Sequence, residues 1–220
     1  MGDTLQLVQT ILIFAPSTIL AITLHEAAHG YVARMFGDTT AYMLGRVTLN
    51  PVKHIDLMGT IVIPLVLLAV TRGAFMFGWA KPVPVNFNNL RNPKRDMLWV
   101  AAAGPASNIV QALLWALVAR LLVGASGEAA GYWSDVAQAG VLSNMVLAVL
   151  NLIPILPLDG GRVLASLLPA KASYAYQGTE RYGMIILIAL IVTGILGRVL
   201  SPLVFLGVRA IFSLFGLQFS

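Results

Sequence analysis

Residues 4–24, TLQLVQTILIFAPSTILAITL, contain no charged side chain and lead directly into HEAAH, residues 25–29. An uncharged run of this length reaches the roughly 20 residues that an α-helix needs to cross a bilayer. Two imidazoles and a carboxylate are among the most costly side chains to place at membrane depth. Their position at the end of an apolar helix therefore indicates a functional site inside a membrane protein.

The composition indicates a polytopic membrane protein. The 220 residues are 58% hydrophobic and 10% charged, whereas soluble domains carry about 25% charged residues. The absence of cysteine excludes disulfides, thiolate metal ligands and cysteine nucleophiles. The amino-terminal apolar run lacks a basic start and exceeds the short apolar core of a signal peptide, so we expect it to be a membrane span.

We expect an all-α polytopic fold with about five to six transmembrane helices, in one membrane-embedded domain that covers residues 1–220. The apolar runs predict spans at Leu5–Met35, Met97–Val123, Val136–Leu156 and Tyr182–Leu200. A last apolar piece, Leu203–Leu217, is interrupted by Arg209 and is at the lower length limit for crossing.

The basic residues predict the orientation. Eleven of the 14 lysines and arginines fall in three segments. Three are at or after the end of the first span (Arg34, Arg46 and Lys53), five precede Met97 (Arg72, Lys81, Arg91, Lys94 and Arg95), and three lie between Leu156 and Tyr182 (Arg162, Lys171 and Arg181). Residues 124–135 have none. Because basic loops stay in the cytoplasm, these three segments are expected on the cytoplasmic side of the cell membrane. The net charge of +5 is then explained without nucleic acid. The expected partners are the lipid bilayer and a transmembrane substrate.

The weaker apolar run Leu57–Val70 lies between two segments that are both expected in the cytoplasm. It therefore cannot cross the membrane a single time. Either it is a re-entrant helix with a short β element, or residues 73–85, GAFMFGWAKPVPV, cross back. The glycines and prolines of that second stretch favour a re-entrant element buried in protein, because lipid-exposed irregular backbone is not stable.

The HEAAH pentapeptide matches HExxH, which on a helix places His25 and His29 one turn apart on one face, where both can bind a single zinc ion. Glu26 projects nearby and can serve as the general base for water activated at the metal. The alternative is a chance match, or histidines hydrogen-bonded between helices. Two of the three histidines fall in this pentapeptide, and burying them without a function is costly, so zinc chemistry is favoured.

A catalytic zinc with three protein ligands needs one more donor. Asp159 is the one acidic residue that ends a predicted span, in NLIPILPLDGG, where two prolines stop the helix and Gly160–Gly161 allow close backbone approach. A helix N-cap is the alternative role for Asp159. His54 is the competing third ligand, although a polar loop position fits it better.

The sequence resembles the site-2 proteases, zinc metalloproteases that cut in or near transmembrane segments. The resemblance rests on HEAAH and, in the same order, on GPASN (residues 104–108) and NLIPILPLDG (residues 151–160), with GRVTLNPVKHIDLMGT and FGWAKPVPVN between HEAAH and GPASN. It runs from about His25 to Arg162. It implies one Zn2+ per chain held by His25, His29 and Asp159, with Glu26 as catalytic base.

Two asparagines have alternative roles. The resemblance places Asn151 near the zinc, where its amide could stabilise the oxyanion formed on attack. An interhelical hydrogen bond is an equally good reading of Asn151. Asn108 follows the small residues AAAGPAS, and for it the helix-packing interpretation is favoured.

The segment KPVPVNF, Lys81–Phe87, favours extended backbone. Pro82 and Pro84 leave one edge without amide donors, whereas Val83 and Val85 donate from the other. Such an edge can hold an unwound substrate by strand pairing, or it can simply shape a loop. Both interpretations stay open at this stage.

Two functions from other classes compete with the protease. A metal transporter would use the same ligands for transit, but it needs polar groups across the membrane and has no use for Glu26. A catalytically silent scaffold has no reason to keep the base and the ligands together. The sequence therefore predicts an intramembrane zinc metalloprotease.

Overall fold

The computed structural model describes residues 2–63, 66 and 80–218. Its helices run in chain order as α1 (Gly2–Met35), α2 (Thr40–Met43), α3 (Pro93–Leu121), α4 (Glu128–Asn151), α5 (Asp159–Leu167), α6 (Ala170–Gln177), α7 (Glu180–Val192) and α8 (Ile195–Leu214). Shorter turns follow α2: two 3-10 turns, Pro51–His54 and Phe87–Asn89, and a π-helical turn, Leu57–Val62. The described residues contain no β-strand.

Four of these helices are long and apolar enough to cross a membrane: Leu5–Met35 of α1, and the whole of α3, α4 and α8. The expected helical, polytopic membrane fold is therefore confirmed. Within the described part of the chain, α7 is apolar but has only 13 residues, about 20 Å at 1.5 Å per residue.

The predicted span Tyr182–Leu200 is wrong in its bounds. Helix α7 ends at Val192, and Gly194 has a φ of 71° before α8 begins at Ile195. That left-handed conformation is readily adopted by glycine and ends a helix. The last apolar piece, Leu203–Leu217, is mostly the second half of α8, which continues through the exposed Arg209 to Leu214.

Most of the predicted re-entrant element lies outside the described residues. Its described beginning is the π-helical turn Leu57–Val62. The Asp56 carboxylate accepts a hydrogen bond from the Gly59 amide at 2.7 Å and caps this turn.

Helices α1, α3 and α4 contact one another and form the centre of the molecule, with α5 against α3 and α8 against α4. Alanines at the α3–α4 contact let the two backbones approach closely, which is how helices associate where lipid removes the hydrophobic driving force. The core cluster at α3, α4 and α8 comprises Ala112, Ala116, Ala119, Ala137, Val141, Met145, Val204, Val208, Ile211 and Phe212.

The predicted span Val136–Leu156 is wrong in its bounds, because α4 begins eight residues earlier and ends five residues earlier. The stop before the two prolines follows the sequence prediction. The helix ends at Asn151, before Pro154 and Pro157, and α5 begins at Asp159. A Cβ on Gly160 would lie 2.5 Å from the Ile153 carbonyl oxygen, and one on Gly161 would lie 2.6 Å from the Leu156 nitrogen. The two glycines therefore allow the start of α5 to fold back onto the preceding turn.

Candidate metal centre

The two histidines of HEAAH lie on one face of α1, as the i and i+4 spacing predicts. Both are buried, with 7% of His25 and 8% of His29 exposed. Their Nε2 atoms are 3.1 Å apart, and their rings meet edge to face at 82°. The helix thus directs two imidazole nitrogens at one point.

Asp159 brings a carboxylate oxygen to the same point. Its Oδ2 atom is 3.2 Å from His25 Nε2 and 3.3 Å from His29 Nε2. Asp159 is the first residue of α5, whose N-cap is Leu158. Its carboxylate contacts the histidines, not the amides of its own helix. The structure therefore brings together the three predicted ligands in one group.

A further hydrogen-bond chain fixes the ring of His25. The His25 Nδ1–H group donates to Asn108 Oδ1 at 2.6 Å. Asn108 Nδ2 in turn donates to Asn144 Oδ1 at 2.9 Å and to the Ala21 carbonyl oxygen at 3.3 Å. Asn108 and Asn144 are both fully buried. Such second partners fix the tautomer and the orientation of a metal-binding histidine.

His29 is held in the same way, by a backbone group. Its Nδ1–H group donates to the Val100 carbonyl oxygen at 2.7 Å. Because both Nδ1 atoms face acceptors, each neutral ring presents the lone pair of Nε2 to the centre. Asp159 Oδ2 is also buried and has no hydrogen-bond partner in the described part of the chain. Three electron-pair donors facing one another without a proton donor are stabilised by a cation.

The spacing of the donors fits zinc. Zinc bonds of about 2.0–2.2 Å in tetrahedral geometry place neighbouring ligand atoms about 3.3 Å apart. The three observed separations are 3.1, 3.2 and 3.3 Å. Two imidazoles and one carboxylate also form the open, three-ligand donor set of catalytic zinc sites.

Glu26 lies beside this group on α1 and is partly exposed. Its Oε2 atom accepts a hydrogen bond of 2.7 Å from the Val83 amide. The segment Lys81–Phe87 therefore contacts the predicted general base. The sequence alone does not predict this contact.

Two other candidates have different surroundings. Asn151 Nδ2 donates to the Leu147 carbonyl oxygen at 3.0 Å, one turn earlier in α4. The buried His54 donates from Nε2 to the Thr48 carbonyl oxygen at 3.1 Å and is not in the three-donor group. Neither residue contacts the three donors in the described structure.

The interpretation of Asn108 as a packing residue is incomplete. It does join α3 to α1 and α4, but through its amide it also holds a candidate metal ligand. A signal was present in the sequence, because an asparagine within a run of alanine and glycine in a membrane span needs polar partners. Asn144 carries the same signal in α4.

Comparison with known proteins agrees with this geometry. The sequence pattern of peptidase family M50 matches residues 121–194, which include Asp159. The chain is 37% identical over 205 residues to "Putative zinc metalloprotease YwhC" of Bacillus subtilis, covering 91% of this chain and 90% of that protein. The chain belongs to peptidase family M50, the site-2 protease family. This membership makes it a zinc metalloprotease.

Two more relatives of this site-2 protease carry similar names. The chain is 31% identical over 187 residues to "Putative zinc metalloprotease Rip2" of Mycolicibacterium smegmatis, covering 85% of this chain and 69% of that protein. It is 24% identical over 156 residues to "Zinc metalloprotease MJ0392" of Methanocaldococcus jannaschii, covering 70% of this chain and 34% of that protein. No solved structure matches the chain.

Proposed function

We propose that this site-2 protease hydrolyses peptide bonds in or near the transmembrane segments of other membrane proteins, using a catalytic domain that covers residues 1–220. The observation that carries the proposal is the convergence of His25, His29 and Asp159 beside Glu26. His25, His29 and Glu26 belong to α1, which is long and apolar enough to cross a membrane. A proteolytic centre on such a helix acts on bonds at membrane depth.

In this proposal His25, His29 and Asp159 hold one zinc ion. Zinc at this position supplies the Lewis acidity that activates water and polarises the peptide carbonyl. Asn108 and the Val100 carbonyl hold the two imidazoles in the tautomer that leaves Nε2 free. Glu26 accepts the proton of the attacking water and then delivers it to the leaving amine.

Asn151 is proposed to donate to the oxyanion that forms on attack. An amide donor at that position would stabilise developing negative charge. In the structure its Nδ2 atom donates to the Leu147 carbonyl, so one of its two amide hydrogens is already used. The second hydrogen is the one proposed to act.

The ligand set is tested with paired variants. Asp159→Ala removes a donor at 3.2–3.3 Å from the two histidines, so zinc content and cleavage should fall together. His54→Ala should keep both, because His54 bonds to Thr48. Metal analysis of the two purified proteins decides the point. Zinc loss in His54→Ala with zinc kept in Asp159→Ala would assign the third ligand to His54.

The active site is proposed to face the cytoplasm. Helix α1 reaches His25 about 20 residues after Leu5, or about 30 Å at 1.5 Å per residue. The zinc site then lies in the inner part of the membrane if the basic segments that follow α1 are cytoplasmic. The natural chain has no cysteine, so single cysteines report their own side of the membrane.

Three exposed positions suit this test: Ser126, Asn89 and Tyr174. In intact cells an impermeant thiol reagent should label a cysteine at Ser126 and should not label cysteines at Asn89 or Tyr174. In opened cells all three should react. Labelling of Asn89 from outside would contradict the orientation.

The protease activity is tested with Glu26→Gln, which keeps the shape of the side chain but removes the base. The purified variant should retain zinc and lose cleavage. Glu128→Gln, at an exposed position on α4, is the matched control.

The substrates are found by comparing new amino termini in membrane fractions of cells that carry either variant. Termini that depend on Glu26 should map in or near transmembrane segments. Identical profiles for the two variants, or Glu26-dependent termini confined to soluble domains, would refute the proposed function.

A further inference from the structure

One hydrogen bond links the segment Lys81–Phe87 to the proposed base. The Val83 amide donates to Glu26 Oε2 at 2.7 Å, the length of a charge-assisted bond. Glu26 Oε1 has no partner within the described part of the chain. One carboxylate oxygen is thus held by backbone, and the other is left for a water molecule.

The segment that carries this amide is fixed on both sides of Val83. Before it, the Lys81 amide donates to the His54 carbonyl at 2.9 Å. Arg46 Nη2 donates to the Lys81 carbonyl at 2.9 Å and to the Pro82 carbonyl at 3.4 Å. After it, the Asn86 amide donates to Asp38 Oδ2 at 2.7 Å. These anchors hold the backbone where it meets Glu26.

The side chain of Val83 is also fitted against α1. Only 7% of Val83 is exposed. A Cβ added at Gly30 would lie 3.1 Å from Val83 Cγ1 and 2.8 Å from Val47 Cγ2. The glycine that follows His29 therefore provides the space in which the segment approaches the helix at the level of Glu26.

The sequence Pro82–Val83–Pro84 offers a single backbone hydrogen-bond donor. Both prolines lack an amide hydrogen and have a fixed φ. Val83 is thus the one amide donor in these three residues, and little backbone entropy is lost when the segment is held. A clamp on substrate at this edge could not use the Val83 amide, because that amide already donates to Glu26.

We propose that Lys81–Phe87 is a positioning element for the base, in which the Val83 amide orients the Glu26 carboxylate toward the attacking water. The inference rests on the proposed role of Glu26. Arg46 and Asp38 act through this segment and are positioning residues. The Val85 amide has no partner in the described structure.

The contact itself is tested by NMR, without any substrate. The dipeptide Pro–Val occurs three times, ending at Val52, Val83 and Val85. Labelling proline with 13C at the carbonyl and valine with 15N therefore shows three amides in the zinc-loaded enzyme in detergent micelles. The Val83 amide should exchange with deuterium more slowly than Val85, and Glu26→Gln should shift Val83 more than Val52 or Val85.

The role of the contact is tested by kinetics on a transmembrane peptide whose cut site was mapped by its dependence on Glu26. Val83→Pro removes the amide hydrogen in a segment that already has proline on both sides. It should lower kcat at least tenfold with zinc content and KM nearly unchanged. Val83→Ala keeps the amide and should lose less. Arg46→Gln should also lower kcat while zinc stays bound.

Val85→Pro is the matched control, because it removes an amide that bonds nothing in the described structure. Its kcat should stay near that of the unmodified enzyme. Equal kcat for Val83→Pro and the unmodified enzyme would overturn the positioning role, as would fast exchange at Val83. Normal cleavage by Glu26→Gln would instead refute the proposed function, whatever the NMR result.

Discussion

His25, His29 and Asp159 project from regular helices, whereas the group that holds Glu26 comes from the irregular segment Lys81–Phe87. The metal half of the site, His25, His29 and Asp159 with their hydrogen-bond partners, is surrounded by α1, α3, α4 and α5, and its supporting contacts are buried. The base half, Glu26 and the segment Lys81–Phe87, depends on a few hydrogen bonds. In these bonds backbone amides and Arg46 donate, and the Asp38 carboxylate accepts. The two halves of one site are therefore held by different kinds of interaction.

This difference separates the ways in which each half can fail. A change of volume near His25, His29 and Asp159 should displace these proposed metal ligands, because tightly packed helices have no space to yield. Loss of a single hydrogen-bond donor in the segment Lys81–Phe87 should leave zinc binding intact and disturb only Glu26, the proposed base. Zinc content and turnover should therefore respond independently to variants in the two halves.

The largest effect is expected for Gly104→Ala on α3. A Cβ at Gly104 would lie 2.6 Å from His25 Nε2 and would also overlap the ring of His29. Both rings would have to move away from Gly104, which disturbs the three-donor group, so we expect loss of zinc and of cleavage by roughly 100-fold or more. Metal analysis and cleavage assays measure the two losses.

Gly131→Ala on α4 is the control for Gly104→Ala, because a Cβ there meets nothing within 4 Å. It should keep both zinc and activity. A Gly104→Ala enzyme with full zinc content would show that the helices can move apart, contrary to the comparison drawn above.

Much of the metal half could be predicted from sequence. The spacing of His25 and His29 fixes their common face because a helix has a 3.6-residue period, and this required no tertiary information. Asp159 is indicated as the third ligand by its place at the end of a predicted span and by the prolines that end α4. Both predictions depend on local rules, and the structure places the three donors together.

Local rules could not predict the hydrogen-bond partners of these residues. The bond from His25 to Asn108 joins residues 83 positions apart, and the bond from Glu26 to Val83 joins residues 57 positions apart. No periodicity connects them, because each depends on how α3 or the irregular segment lies against α1. The break at Gly194 was missed because apolar residues continue on both sides of it, so hydropathy alone could not locate the turn.

A smaller effect is expected for Asn108→Ala, which removes the acceptor of the His25 Nδ1–H group. Loss of such a partner typically weakens metal binding by about 10–100-fold. Competition with a chelator measures the zinc affinity. Asn108→Asp keeps an acceptor for His25 and should bind zinc more tightly than Asn108→Ala.

Asn151→Ala is the matched control for zinc binding, because Asn151 donates to the carbonyl of Leu147 in its own helix. It should keep zinc affinity, whatever it does to turnover. Equal zinc affinity of Asn108→Ala and the unmodified protein would mean that the packing of α1 alone orients His25.

The smallest effect concerns Asp38, which anchors the segment Lys81–Phe87 from the loop that follows α1. The fully buried carboxylate accepts hydrogen bonds from the amides of Thr40 and Asn86 and from the Asn89 side chain. Burial alone would raise the pKa of Asp38, but these donors and the Thr40 hydroxyl hold it below its ordinary value. A lowered pKa means that the folded state favours the ionised form.

The stabilisation by Asp38 is therefore complete above the ordinary carboxyl pKa of about 3.9 and is lost as the pH falls below it. Asp38→Asn should cost about 1–3 kcal/mol at neutral pH, because an amide oxygen cannot replace a carboxylate with several donors. Thermal unfolding of the detergent-solubilised protein should show a midpoint gap between the two proteins at pH 7. That gap should narrow below about pH 4, where the Asp38 carboxyl of the unfolded chain becomes protonated before that of the folded protein. Asp135→Asn, at an exposed position on α4, should follow the unmodified protein throughout. A constant gap would show that Asp38 stabilises the segment by its shape and not by its charge.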